Sequence, residues 1–99
     1  MRKGLLEYCI LSIISRNEAY ASDILETLKN AELLVVEGTL YPLLTRMKNE
    51  GLLSYRWQES TGGPPRKYYT LTPEGEQLLA QLNEEWQSIC QAVNQITNQ

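Results

Sequence analysis

The sequence predicts a mostly α-helical fold with one small β-hairpin, and three observations carry that prediction. Apolar residues recur at helical spacing over residues 3–50, the period drops to two at Leu52, and helical spacing returns beyond Thr72. Ninety-nine residues suffice for one domain with one modest core.

The first helix is expected from about Lys3 to Ser15, with Leu5, Leu6, Cys9, Ile10, Ile13 and Ile14 on one face. Asn17 and Glu18 form a turn, and Ala21-Ser22 opens a second helix carrying Ile24, Leu25 and Leu28 inward, with Asn30 as its terminator. Leu33-Leu34-Val35-Val36 is too short for a helix and reads as a small strand or a buried extended link. A third helix follows from about Gly38 to Glu50. Leu40, Leu43 or Leu44, and Met47 face inward, and Gly51 caps the end. Pro42 is tolerable only within the first turn or so. The opposite face presents Thr39, Tyr41 or Pro42, Thr45, Arg46 and Asn49.

From Leu52 onward, Leu53, Tyr55 and Trp57 alternate with Ser54 and Arg56, and Tyr69 and Leu71 alternate with Tyr68 and Thr70. Glu59 to Pro65 reads as a turn-forming loop too long for a tight hairpin, with Arg66 and Lys67 on an extended polar tip. Two such strands make a wing. Thr72 then caps a last helix, with Pro73 at its first position and acids in its first turn. Leu79, Leu82, Trp86, Ile89, Val93 and Ile96 follow at alternating steps of three and four, which is a heptad seam.

Three helices and a two-stranded wing make a winged helix-turn-helix, a variant in which the third helix enters the DNA major groove. The expected organisation is therefore a DNA-binding domain over residues 1–72 and a C-terminal dimerisation helix over residues 73–99. The seam calls for a second subunit, and two-fold pairing is the commonest solution. Packing of the seam on its own domain's core is the alternative.

Composition narrows the function. There is no histidine, no Gly-rich phosphate loop and no nucleophile beside an evident base, so an enzyme is not expected. Cys9 and Cys90 have no paired spacing, which argues against a zinc site, and no cofactor or metal is implied. The plain reading is two buried thiols in a reducing cytoplasm, and a redox switch is the sharper alternative. Met1-Arg2-Lys3 and the apolar residues after it imitate a secretion signal, but Glu7 interrupts the run and no small-residue cleavage site follows. The expectation is a cytoplasmic protein with no membrane partner.

The net charge is −3, mildly adverse to nucleic-acid binding, yet charge is distributed unevenly. Residues 39–70 hold Arg46, Lys48, Arg56, Arg66 and Lys67 against Glu50 and Glu59, whereas only acids follow residue 72. The candidate contacts to double-stranded DNA are Thr39, Tyr41, Thr45, Arg46 and Lys48 on the third helix and Arg66, Lys67 and Tyr68 on the wing. Hydroxyls bond phosphate or bases, Arg46 suits a guanine or a phosphate, and wing cations suit the backbone or narrow minor groove. A solvated basic loop on a protein-binding domain is the competing reading.

Gly38-Thr39-Leu40-Tyr41-Pro42-Leu43-Leu44-Thr45-Arg46-Met47, followed by Glu50-Gly51-Leu52-Leu53, resembles the recognition-helix signature of the PadR-like family. Gly62 to Gly75 is similar to that family's wing and the start of its dimerisation helix, and Tyr20-Ala21-Ser22-Asp23-Ile24 to the opening of its second helix, where glycine is more usual than Ala21. The resemblance implies a homodimeric transcriptional repressor on a palindromic operator, of the short subfamily whose single C-terminal helix packs across the dimer with the first helix. It implies contacts from Thr39 and Tyr41 at the start of the recognition helix, and from Arg66 and Lys67 on the wing. Glu37 is a departure, since a carboxylate there repels phosphate unless it caps the helix or accepts from a cytosine. Trp86 is either a packing residue or, as the resemblance to multidrug-responsive members implies, one wall of a pocket for a small aromatic effector lined by Leu82 and Cys90.

Overall fold

The computed structural model describes residues 2–33 and 35–98, including the backbone but not the side chains of Arg2, Lys3 and Ser60. The elements are α1 (Arg2–Arg16), β1 (Ala19–Tyr20), α2 (Ala21–Asn30), α3 (Glu37–Asn49), β2 (Leu53–Ser60), β3 (Gly63–Leu71) and α4 (Pro73–Thr97). The three strands form an antiparallel sheet in the order β1-β3-β2. This is the expected winged helix with one added strand: Ala19 and Tyr20 pair with Tyr69 and Tyr68.

Ile10, Leu11 and Ile14 of α1, Ile24 and Leu28 of α2, and Leu40, Leu44 and Met47 of α3 close over Leu53 and Tyr69 of the sheet. Ala19 joins them from β1. The first-helix stripe is rotated from the expected one. Leu11 is fully buried, Leu6, Cys9 and Ile13 are half-buried, and Leu5 is exposed. The helix packs against α2, β3 and α4, so its apolar surface is wider than a single stripe.

Both interior helices end in Schellman geometry. Leu52 N–H donates to Met47 O and Gly51 N–H to Lys48 O, with Gly51 at φ +81°, as its glycine foretells. At the end of α2 the same pair of bonds runs from Leu33 to Leu28 and from Glu32 to Lys29. The helix ends at Asn30 as expected, and the left-handed residue two positions later is Glu32, at φ 65°. The apolar run that follows is neither strand nor wholly buried link: Val35 is half-buried, Val36 is 68% exposed, and Leu34 lies outside the described residues.

Two further expectations are corrected. Pro42 sits in the second turn of α3, so the Gly38 carbonyl lacks its usual i+4 donor; both residues lie on the solvent face, where that carbonyl is open to water. The wing is a tight hairpin, because β2 and β3 continue to Ser60 and Gly63 and leave only Thr61-Gly62 as the turn, with Gly62 at φ +76°. The register slips between Gln58 and Ser60, so that Pro64 and Pro65 oppose the single residue Glu59. β3 is the central strand, but β1 pairs only with Tyr68 and Tyr69, so at Pro64 and Pro65 one side of β3 is open, and a bulge there tolerates prolines in the ladder. Arg66 and Lys67 therefore lie along β3 rather than on the tip.

Candidate nucleic-acid interface

The polar face of α3 follows from the burial of its other face. With Leu40, Leu44 and Met47 wholly inside, Thr39, Tyr41, Pro42, Thr45, Arg46, Lys48 and Asn49 are all exposed. Glu37 is the first residue of the helix, where its charge faces the positive end of the helix dipole. Val36 occupies the cap position, so Glu37 is not itself the cap.

The sheet brings the wing to this helix. Cross-strand pairing puts Tyr55 opposite Tyr69 and Trp57 opposite Lys67 on the core-side face. The core ends at Tyr55, so Trp57, expected inward by alternation, emerges 62% exposed. A groove of about 340 Å³ is lined by Tyr41 and Thr45 of α3, Trp57, Pro65, Arg66, Lys67 and Tyr69 of the hairpin, and Ala21 of α2. Tyr41, Thr45, Arg66 and Lys67 thus line one groove, although Arg66 alternates with Lys67 along β3 and its guanidinium lies over Tyr20, the ring that meets Tyr68. Thr39 and Arg46 lie on the flank of α3 away from the groove, and Tyr68 faces the other side of the sheet, edge-on to Tyr20 at 4.9 Å between centroids.

The five cations of this segment are held in two different ways. Lys48 from α3 and Lys67 from β3 both stand over the Tyr55 ring, at 5.7 and 4.6 Å, and Lys67 is 5.7 Å from the Trp57 ring. Arg66 lies 3.9 Å over the Tyr20 ring and donates to Ser22 Oγ. Among the described residues these three make no ion pair, so their charge is available to a polyanion. Arg56 instead pairs with Glu18 at 2.8 Å and stacks on Tyr68, and Arg46 pairs with Glu7 and, more distantly, Glu50. Tyr69 is buried beneath the groove, and that burial, then the Tyr55 and Tyr41 phenols, pushes its own phenol above the usual range.

Comparison with known proteins decides the family. Residues 10–81 match the model of the transcriptional regulator PadR-like family. The chain belongs to that family. A PadR-like transcription factor of Bacteroides fragilis, of known structure, is 60% identical to it with a TM-score of 0.85, over 97% of this chain and 93% of that one. A PadR-like transcriptional regulator of Bacillus cereus is 38% identical with a TM-score of 0.87, over 100% and 97% of the two chains. The PadR protein of Bacillus subtilis, solved in complex with operator DNA, is 27% identical with a TM-score of 0.73, over 79% of this chain and 46% of that one. PadR-like proteins are transcriptional regulators and not enzymes, and the expected winged helix is theirs.

In this PadR-like chain the heptad seam divides in two. Leu79 and Leu82, with Leu78, pack on the core, and Trp86 stacks nearly parallel on Tyr8 of α1, centroids 6.2 Å apart. Tyr8 Oη donates to Asn83 Oδ1 beside it. Ile89 is half-buried, whereas Val93 and Ile96 are 50% and 71% exposed. Cys90, expected buried, is exposed for the same reason: α4 has run past the domain. Cys9 is half-buried, and burial raises its thiol pKa, which keeps it a poor nucleophile. Leu82, Trp86 and Cys90 lie along one face of α4, with Tyr8 against the middle of it. Among the described residues no cluster of acidic and cysteine side chains could hold a metal, and no helix is long and apolar enough to cross a membrane.

Tyr20, Ser22, Tyr55 and Trp57 belong to this surface and were not among the expected contacts. Aromatics interleaved with cations over residues 55–57 and 66–69 were the available signal for two of them. Nothing in the local sequence connects Ser22 with Arg66, because β1 is only two residues long and shows no periodicity.

Proposed function

We propose that this PadR-like regulator is a cytoplasmic repressor that binds a palindromic operator as a homodimer. The observation that carries the reading is the groove between α3 and the wing. It presents the hydroxyls of Tyr41 and Thr45 beside the unneutralised charges of Lys67 and Arg66, with Lys48 on the adjoining turn. Hydroxyls and an aromatic edge suit base edges, and cations beside them suit the flanking phosphates. Thr39 and Arg46 extend the contact along the helix flank, and Tyr68 supports the wing from behind.

Dimerisation is supported by the far half of α4, whose Ile89, Val93 and Ile96 have too little of their own chain to cover them. Pairing through Leu79, Leu82, Trp86, Ile89, Val93 and Ile96 would present two recognition helices to one face of the duplex, at half-sites about one turn apart, roughly 34 Å. Release by a small aromatic effector is supported by the parallel Tyr8–Trp86 stack, a geometry that suits a flat ring, with Leu82 and Cys90 one helical turn to either side.

The decisive experiment measures binding to fragments from upstream of its own coding region over a range of salt. Affinity should fall steeply with salt, and Lys67→Ala should weaken it by about 1–3 kcal/mol while flattening the slope by about one phosphate. Absence of any salt-dependent binding defeats the reading. For the effector, planar aromatic compounds should quench Trp86 fluorescence in a Trp57→Phe background, and an unchanged spectrum defeats that part alone.

A further inference from the structure

We propose that Glu7 of α1 is a positioning residue for the recognition helix, holding Arg46 back so that DNA must displace a carboxylate before Arg46 contributes. The proposal rests on the DNA-binding reading above. Arg46 Nη2 donates to Glu7 Oε2 at 2.5 Å, and its Nε lies 3.9 Å from Glu50 Oε2. The Glu50 contact is an ordinary neighbour one turn along the same helix and is open to water, with side chains 47% and 54% exposed. The Glu7 contact is different. It crosses 39 residues of sequence, and its carboxylate is only 19% exposed.

A charge-assisted bond to a carboxylate that is largely covered holds better than a pair exposed at both ends. Two carboxylates around one guanidinium also leave the group net negative, which repels a phosphate where the free arginine would attract one. Lys48, Lys67 and Arg66 are handled in the opposite way: each rests on an aromatic ring, which holds the cation without cancelling it. The DNA-facing surface therefore has three cations on offer and one in reserve. Its affinity is set below what its sequence permits, by a residue of the first helix that lies outside both the recognition helix and the wing.

The test uses a duplex selected by the wild-type protein from a randomised pool, with affinities measured across salt for five proteins: wild type, Glu7→Gln, Glu7→Met, Arg46→Ala and the Glu7→Gln/Arg46→Ala double variant. Glu7→Gln should bind roughly three- to tenfold tighter at low salt, with a salt dependence steeper by about one phosphate. In the Arg46→Ala background the same change should shift affinity by no more than about twofold, the residue of a screened long-range charge. Glu7→Met, which fills the site without charge, should behave as Glu7→Gln does and guards against a folding defect in either. Unchanged or weaker binding by both neutral variants overturns the proposal, as does an equal gain in the Arg46→Ala background. If the wild type selects no duplex, the DNA-binding reading itself has failed, and this proposal with it.

Discussion

The two halves of α4 carry the same kind of side chain at the same spacing and meet opposite fates. Leu79 and Leu82 settle on the core, and Trp86 finds the ring of Tyr8; about two and three turns further on, Val93 and Ile96 stand half or more exposed. The helix has 25 residues, roughly 37 Å at 1.5 Å per residue, and the molecule is 57 Å in its longest dimension but only 28 and 21 Å in the others. The domain is too small to cover its own last helix. The difference teaches that an apolar stripe specifies burial and leaves open against what. The near half is a structural element of the monomer, and the far half is an unfilled demand for a second surface.

That contrast can be broken most directly at the exposed end. Val93→Asp with Ile96→Asp should abolish self-association, since each side chain buried in a dimer is worth about 1.5 kcal/mol and four are lost at once. If the proposed dimer forms, sedimentation equilibrium should show the wild type as a dimer and the double variant as a monomer, with the near-ultraviolet dichroism of the body retained. A next-largest effect comes from the buried side: Leu44→Ala should cost about 2–5 kcal/mol in urea unfolding. Ile96→Ala, added to Val93→Asp alone, should cost less than about 0.5 kcal/mol in the same unfolding experiment. Equal costs would erase the distinction between the halves.

The junction that aims α4 offers a sharper probe. Thr72 Oγ1 donates to Gly51 O at 2.6 Å and accepts from Gly75 N–H at 3.0 Å, and Thr72 N–H donates to Leu52 O. Gly75 is buried there because a Cβ on it would come within 2.1 Å of the Leu52 carbonyl oxygen. Gly75→Ala must push α4 off the α3–β2 corner. The expected cost is about 1–3 kcal/mol, read as a lower urea midpoint together with altered Trp86 fluorescence.

The smallest effect concerns pH. Burial holds the Tyr69 phenol above its ordinary value, so the folded protein keeps a proton that the unfolded chain releases near pH 10. Its contribution to stability is complete below that pH and is lost as pH rises towards the folded value. Thermal unfolding of the wild type should therefore fall more steeply above about pH 10 than that of Tyr69→Phe. Parallel curves for the two proteins would count against it.

Much of the fold was legible because the elements are punctuated. Gly51, Thr72-Pro73 and the change of period at Leu52 each encode a boundary through local backbone chemistry. The misreadings share one cause, a tertiary contact that overrode a local signal. The first-helix stripe is rotated because β3 and α4 pack on α1 as well as α2, and Pro64-Pro65 reads as loop although pairing with β2 across a bulge admits both residues to a strand. The candidate site divides the same way. The exposed face of α3 was legible from its apolar period, and the value of each cation was not. Nothing near Arg46 in the sequence points to Glu7, and nothing near Arg66 points to Tyr20 and Ser22.

By itself, then, the sequence determined the order and type of the helices, the capped start of α4, the basic middle segment and the six-residue apolar seam. These depend on periodicity, turn chemistry and composition, which act within a few residues. Only the tertiary structure decided which charges face outward unpaired, which are cancelled, and where along α4 the monomer stops. Those depend on contacts between residues dozens of positions apart, and on a core too small to reach the end of its own last helix.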